Sequence, residues 1–121
     1  MSARSKVRIY KTCIRPVLTY AAETRASTIT TQQLLRTTEM RIIRAIHGKA
    51  LWDRIRSKDL RELTGIQDIV EWIDVRKRGW VEHVERMMDD PIAKIVKENR
   101  PRGTRSRGRP KTRWKDVAAR N

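Results

Sequence analysis

The chain has 121 residues, one ordinary domain, and its 29 Lys plus Arg outweigh 14 Asp plus Glu to give a net charge of +15. One Cys and two His are too few for a disulfide framework or for the usual four-ligand zinc sites. No apolar run is long enough to span a membrane and the basic start, MSARSKVRIY, has no signal-peptide core, so the expectation is a soluble intracellular chain.

Val7, Tyr10, Ile14, Val17, Leu18 and Ala21 fall at the spacing of one helix face. Pro16 lies inside that pattern and predicts a kink or break near Arg15. Thr30 with Gln33 resembles a capping box, and Leu34, Leu35, Thr38, Ile42, Ala45 and Ile46 line a second helix that Gly48 stops. A short third helix fits 58–64, with Ser57 as N-cap and Gly65 as terminator. In a fourth, Ile69, Ile73, Trp80, Val84 and Met87 repeat on one face, flanked by Trp72 and Met88. Asp68 would cap it and Asp89-Asp90-Pro91 would stop it, while Gly79 inside implies close packing at that point. Residues 92–96 are a short apolar run, and the spacing of Trp114, Val117 and Ala118 allows one last helical turn. No strand pattern occurs. The expected fold is all-α, a small bundle of about four helices over residues 1–96, followed by a poorly ordered basic arm over 97–121.

Charge follows the same division. Residues 1–50 hold ten Lys/Arg and two acids, residues 51–96 nine and ten, and residues 97–121 ten and two. Two basic ends thus flank a nearly neutral centre, and phosphates are the natural counterpart of such ends. Arg4, Lys6, Arg8, Lys11 and Arg15 would carry the first contact surface. Arg102, Arg105, Arg107, Arg109, Lys111, Arg113, Trp114 and Lys115 would carry the second.

No other residue demands chemistry. His83, at the edge of the apolar stripe, reads most simply as a partly buried structural histidine, and His47 as a helix-end residue facing the macrodipole. Cys13 beside Ile14 reads as a small core hydrophobe. Asp89-Asp90 reads as a polar turn, without a third carboxylate at metal-binding spacing. No G-x-S-x-G, H-E-x-x-H or Gly-rich phosphate loop is present, so catalytic and metal residues are both expected to be none, with no cofactor and no small-molecule substrate. Trp52, Trp72 and Trp80 read as core anchors, whereas Trp114 among Arg109, Arg113 and Lys115 could equally stack on a base.

Within the arm, Arg107-Gly108-Arg109-Pro110 in basic flanks resembles an AT-hook core. Glycine lets the backbone lie deep in an A·T minor groove, whose negative potential draws arginine. The plainer alternative is a solvated linker that binds phosphates generally and serves as a nuclear localisation signal.

Several stretches in order resemble a family. Tyr10-Lys11-Thr12-Cys13-Ile14-Arg15-Pro16-Val17-Leu18-Thr19-Tyr20 with Ala22-Glu23-Thr24-Arg25 is similar to the segment just downstream of the palm in non-LTR (LINE-type) retrotransposon reverse transcriptases. Leu34-Leu35-Arg36-Thr37-Thr38-Glu39-Met40-Arg41 with Arg44 resembles the next helix of that region. Trp80, His83, Val84, Arg86 and Met87 match its W-x-x-H-V-x-R-M pattern, and Gly108-Arg109-Pro110, Arg113-Trp114 and Asp116 its G-R-P-x-x-R-W-x-D close. The resemblance covers about residues 4–118 and implies the thumb and C-terminal extension, which help hold template and primer.

The departures are as informative. The family's [FY]-A-D-D palm loop, its endonuclease domain and its Cys/His knuckle do not occur in this sequence. Two-metal phosphoryl transfer needs carboxylates clamping ions about 4 Å apart, so this chain alone is expected to polymerise nothing. The expected function is a non-catalytic, nuclear, nucleic-acid-binding remnant of a reverse transcriptase, acting on RNA or DNA through phosphates. The competing readings are a protein–protein or dimerising helical module and an AT-hook-like minor-groove binder. A second copy of the chain and a palm domain are the protein partners in view, and a membrane is not.

Overall fold

A computed structural model describes residues 1–87 together with 92, 95, 103, 104, 107–109, 112 and 113. All the regular structure among them is helical: α1 (Ala3–Ile9), a π-helical segment (Tyr10–Ile14), α2 (Arg15–Leu18), α3 (Ile29–His47), a 3-10 turn (Leu51–Asp53), α4 (Ser57–Thr64) and α5 (Ile69–Arg86). The first three run on as one helical stretch, so the fold is a bundle of four helices, as the periodicity predicts. Helix α3 is central and packs against α1, α4 and α5.

Pro16 does disturb the first helix, by widening one turn instead of breaking it. It has no N–H to give the carbonyl four residues back, and the Arg15 N–H bonds to the Tyr10 carbonyl across a π turn. Thr12 Oγ1 donates to the Arg8 carbonyl at 2.9 Å inside this region. Tyr10 is buried as expected, and the extra residue rotates everything downstream of it, so Arg15 and Thr19 are buried too. Ile14 and Val17, expected in the core, are exposed for the same reason. Cys13 is exposed as well, which corrects its reading as a core residue. Ala21 leaves the helix altogether and turns the chain with a left-handed φ of 53°.

The helix ends obey local rules with small shifts. Thr28, two residues before the expected Thr30, caps α3 by accepting from the Thr31 N–H at 3.3 Å. Arg56, one residue before Ser57, is the N-cap of α4 and makes no side-chain cap bond. Gly48 and Gly65 both sit at φ 62° and close Schellman motifs, with Lys49 N–H donating to the Arg44 carbonyl and Ile66 N–H to that of Arg61. The expected stop at Asp89-Asp90-Pro91, the run 92–96 and the turn around Trp114 lie largely or wholly outside the described residues.

Two apolar clusters share Leu18. Tyr10, Met40, Ile43, Ile46, Leu60 and Ile66 form the larger, and Ile69, Val70 and Ile73 the smaller. The fourth helix buries Ile69, Ile73 and Val84 as expected, while Trp80 is only partly buried and Met87 is exposed. Lys77 occupies the same stripe, donating to Ser27 Oγ at 3.0 Å, and burial pulls its pKa down. Trp52 is no anchor, being 84% exposed. His83 is exposed rather than partly buried. Gly79 has nothing within 4 Å of the place a Cβ would take, so close packing does not explain it.

Candidate nucleic-acid interface

The most polar point of the bundle is also one of its most buried. Glu39, on the inward face of α3, is 0% exposed and is held from four directions. Its Oε1 accepts from Tyr10 Oη at 2.9 Å and from Arg15 at 3.3 Å. Its Oε2 accepts from Arg61 at 3.1 Å and from the Ile69 backbone N–H at 3.1 Å. Glu39 therefore caps the start of α5 from another helix, because an N-terminal amide is an orphan donor with positive character. The Asp68 side chain is drawn away from that task. It accepts from Arg61 at 2.8 Å and from Arg36 at 2.9 Å.

Arg15 completes the cluster, donating to the Gln67 carbonyl at 2.7 Å. Its guanidinium lies 5.4 Å from the ring centres of both Tyr10 and Trp72, and Arg76 lies 4.8 Å from Trp72. Arg76 also bonds Glu23 at 2.6 Å, tying the loop after α2 to α5. Burial pushes the Tyr10 hydroxyl up to about 12, with Arg15 opposing the rise and Glu39 adding to it.

Beside this cluster the surface opens into a groove of about 540 Å³. Four arginines line it: Arg36, Arg41 and Arg44 from α3, and Arg61 from α4. Met40, Leu51, Thr37 and Ser57 supply the rest, and no carboxylate lines it among the described residues. Arg36 and Arg61 are fixed from behind by Asp68 and Glu39. Arg41 and Arg44 make no ion pair among the described residues. This groove was not legible as a site in the sequence, where its arginines lie scattered between apolar positions.

The sequence-predicted contact residues separate. Arg4, Lys6 and Arg8 are exposed on α1 without ion-pair partners among the described residues. Lys11 is exposed and donates to the Gly65 carbonyl at 3.0 Å, so it also ties the first helix to the end of α4. Arg15 is the correction: only 6% exposed and committed to Glu39 and Gln67, it holds the core and presents no charge to a ligand. In the arm, Arg107 and Arg109 are exposed and Arg113 is partly buried; Gly108 between the first two has φ 101°, which other residues rarely adopt. Arg102, Arg105, Lys111, Trp114 and Lys115 lie outside the described residues. No helix is long and apolar enough to cross a membrane, and no trio of His, Cys, Asp or Glu is placed to hold a metal, among the described residues.

Comparison with known proteins gives one informative likeness. An uncharacterized transposon-derived protein of Caenorhabditis elegans is 27% identical over 116 residues, which covers 92% of this chain and 42% of that protein. The likeness supports a transposon origin. The chain thus spans less than half the length of the relative it matches. No family model matches the chain, and no solved structure matches it.

Proposed function

We propose that this chain is a nucleic-acid-binding helical module from the C-terminal region of a LINE-type reverse transcriptase, non-catalytic on its own and acting in the nucleus. The observation that carries the reading is uncompensated charge. Arg4, Lys6, Arg8, Arg41 and Arg44 keep their charges without ion-pair partners among the described residues, in a chain of net charge +15. Like charges at Arg4 and Arg8, four residues apart on one helix, repel each other by a few tenths of a kcal/mol, a cost that bound phosphates would reverse. The likeness to a transposon-derived protein supports a transposon origin, which suits this reading.

The test is a titration of duplex, hybrid and single-stranded substrates at two salt concentrations. If about six cations meet duplex phosphates, log affinity falls against log salt with a slope of roughly −5. Affinity indifferent to salt would reject the reading. One observation favours a second reading: Ile9, Ile14, Val17 and Tyr20 are exposed apolar side chains on the first helical stretch and the turn after it, a surface suited to a protein contact. Association through that surface would survive high salt. The AT-hook alternative rests on exposed Arg107 and Arg109. Replacing both would then weaken binding to A·T-rich duplex more than to G·C-rich duplex.

A further inference from the structure

The arginine groove has an apolar side that phosphate binding alone leaves unexplained. Met40 in its lining belongs to the core, but Leu51, also in the lining, stands 74% exposed on the 3-10 turn. The next residue on that turn, Trp52, is 84% exposed, the opposite of what a tryptophan ordinarily does in a small domain. Its turn is well defined: the Ala50 N–H donates to Asp53 Oδ2 at 2.7 Å, and Arg54 leaves the turn with a left-handed φ of 49°. An exposed indole, next in the chain to a groove-lining leucine and close to two guanidinium groups without carboxylate partners among the described residues, is the pairing that recognises unstacked bases on a charged backbone.

Resting on the nucleic-acid reading above, we propose that this face binds single-stranded nucleic acid, with backbone phosphates on Arg41 and Arg44 and a base stacked on Trp52. The size of the groove agrees. A concavity of about 540 Å³ admits a nucleotide-sized unit, whereas a duplex keeps its bases stacked inside and offers Trp52 no free face. Arg36, Arg41 and Arg44 spread along about 12 Å of helix axis, enough to follow a strand past successive phosphates. Arg36 and Arg61 are held by Asp68 and Glu39, so the walls of the groove are set before any strand arrives.

The experiment uses the full chain and a ten-nucleotide oligothymidylate, read by anisotropy and by tryptophan fluorescence, beside a ten-base-pair duplex. The expected result is quenching by the single strand that is mostly lost in Trp52→Ala. That variant should bind the single strand about 5- to 150-fold more weakly. The duplex should lose far less. Arg41→Gln with Arg44→Gln should weaken the single strand and make its salt slope shallower by about 1.4, two single-strand phosphates. Circular dichroism melting confirms that the variants fold. If the parent binds the oligonucleotide while both variants bind it equally well, the groove assignment is overturned and the broader reading stands on α1 and the arm. Equal losses on duplex and single strand also overturn it, leaving a plain phosphate site. If the parent binds no nucleic acid at all, both readings fall together.

Discussion

Arginine has two fates in this molecule, side by side on neighbouring helices. Around Glu39, the guanidinium groups of Arg15 and Arg61 meet buried carboxylate oxygens at 3.3 and 3.1 Å, and their charge is absorbed by the fold. In the adjoining groove, exposed Arg41 and half-buried Arg44 meet no carboxylate among the described residues. The difference lies in the neighbours rather than in the residue type. A guanidinium taken out of water needs an anion and hydrogen-bond acceptors, whereas one left in water needs neither and stays available to a ligand. Counting basic residues therefore overstates the binding surface, and Arg15 is the residue that shows by how much.

The strongest way to break this contrast is to remove the central anion. Glu39→Ala leaves Arg15 without a carboxylate in a buried site, leaves Arg61 with Asp68 alone, and strips the cap from α5. The expected loss is about 3–5 kcal/mol, a large part of what a small domain possesses. Urea unfolding followed by circular dichroism measures it, and the loss should change little with salt because the pair is shielded from ions. A loss below about 1 kcal/mol would show that the cluster is no linchpin.

A smaller effect reads the same cluster through pH. The Tyr10 hydroxyl ionises at about 12 in the folded chain against 10.0 ordinarily, because burial disfavours the phenolate. A raised folded pKa means that the unfolded chain loses its proton first. The stabilisation is complete below pH 10 and is lost as pH rises toward 12, by about 3 kcal/mol. Lys77 works in the opposite sense, since its lowered pKa makes burial costly wherever the unfolded lysine is protonated, a cost relieved as pH approaches 10.5. Comparison of the parent with Tyr10→Phe cancels the lysine contribution. The variant should lack the tyrosine part of the alkaline loss.

How much of this was visible in the sequence depends on the kind of signal. Periodicity and glycine stops located the helices well, because Gly48 and Gly65 occupy left-handed positions that glycine favours. Periodicity misjudged the first helix beyond Tyr10, since a π turn shifts the phase without leaving a mark that apolar spacing can carry. The turn after α2 was also hidden, because it bends at Ala21 where no glycine announces it. Glu39 was missed for a related reason. It stands in the inward stripe between Leu35 and Ile43, and an acid in such a stripe is the one hint of a buried network. The arginine groove was invisible because α3 and α4 assemble it from residues that are not neighbours in the chain.

Outside both clusters, Gly79 offers a stabilising change of about 1 kcal/mol. It lies within α5, and a Cβ there would meet nothing within 4 Å. Gly79→Ala should raise the unfolding midpoint by removing the backbone freedom glycine has when unfolded. A lower midpoint would mean that the space at Gly79 is filled in solution, by a partner or by a segment outside the described residues.

The smallest expected effect sharpens the comparison most. Arg41→Gln with Arg44→Gln removes two positive charges, more than Glu39→Ala leaves without a carboxylate, yet stability should move by no more than about 0.5 kcal/mol. Neither side chain satisfies a carboxylate in the described structure, so nothing buried is orphaned when they go. The two stand three residues apart on α3, where like charges repel, so the sign should if anything be stabilising by a few tenths of a kcal/mol. Raising the salt should erase that gain, because repulsion between exposed charges is screened within about 8 Å at physiological ionic strength. A loss above 1 kcal/mol would place these arginines with Arg15 and Arg61, as parts of the fold. The groove would then hold no charge free for a ligand.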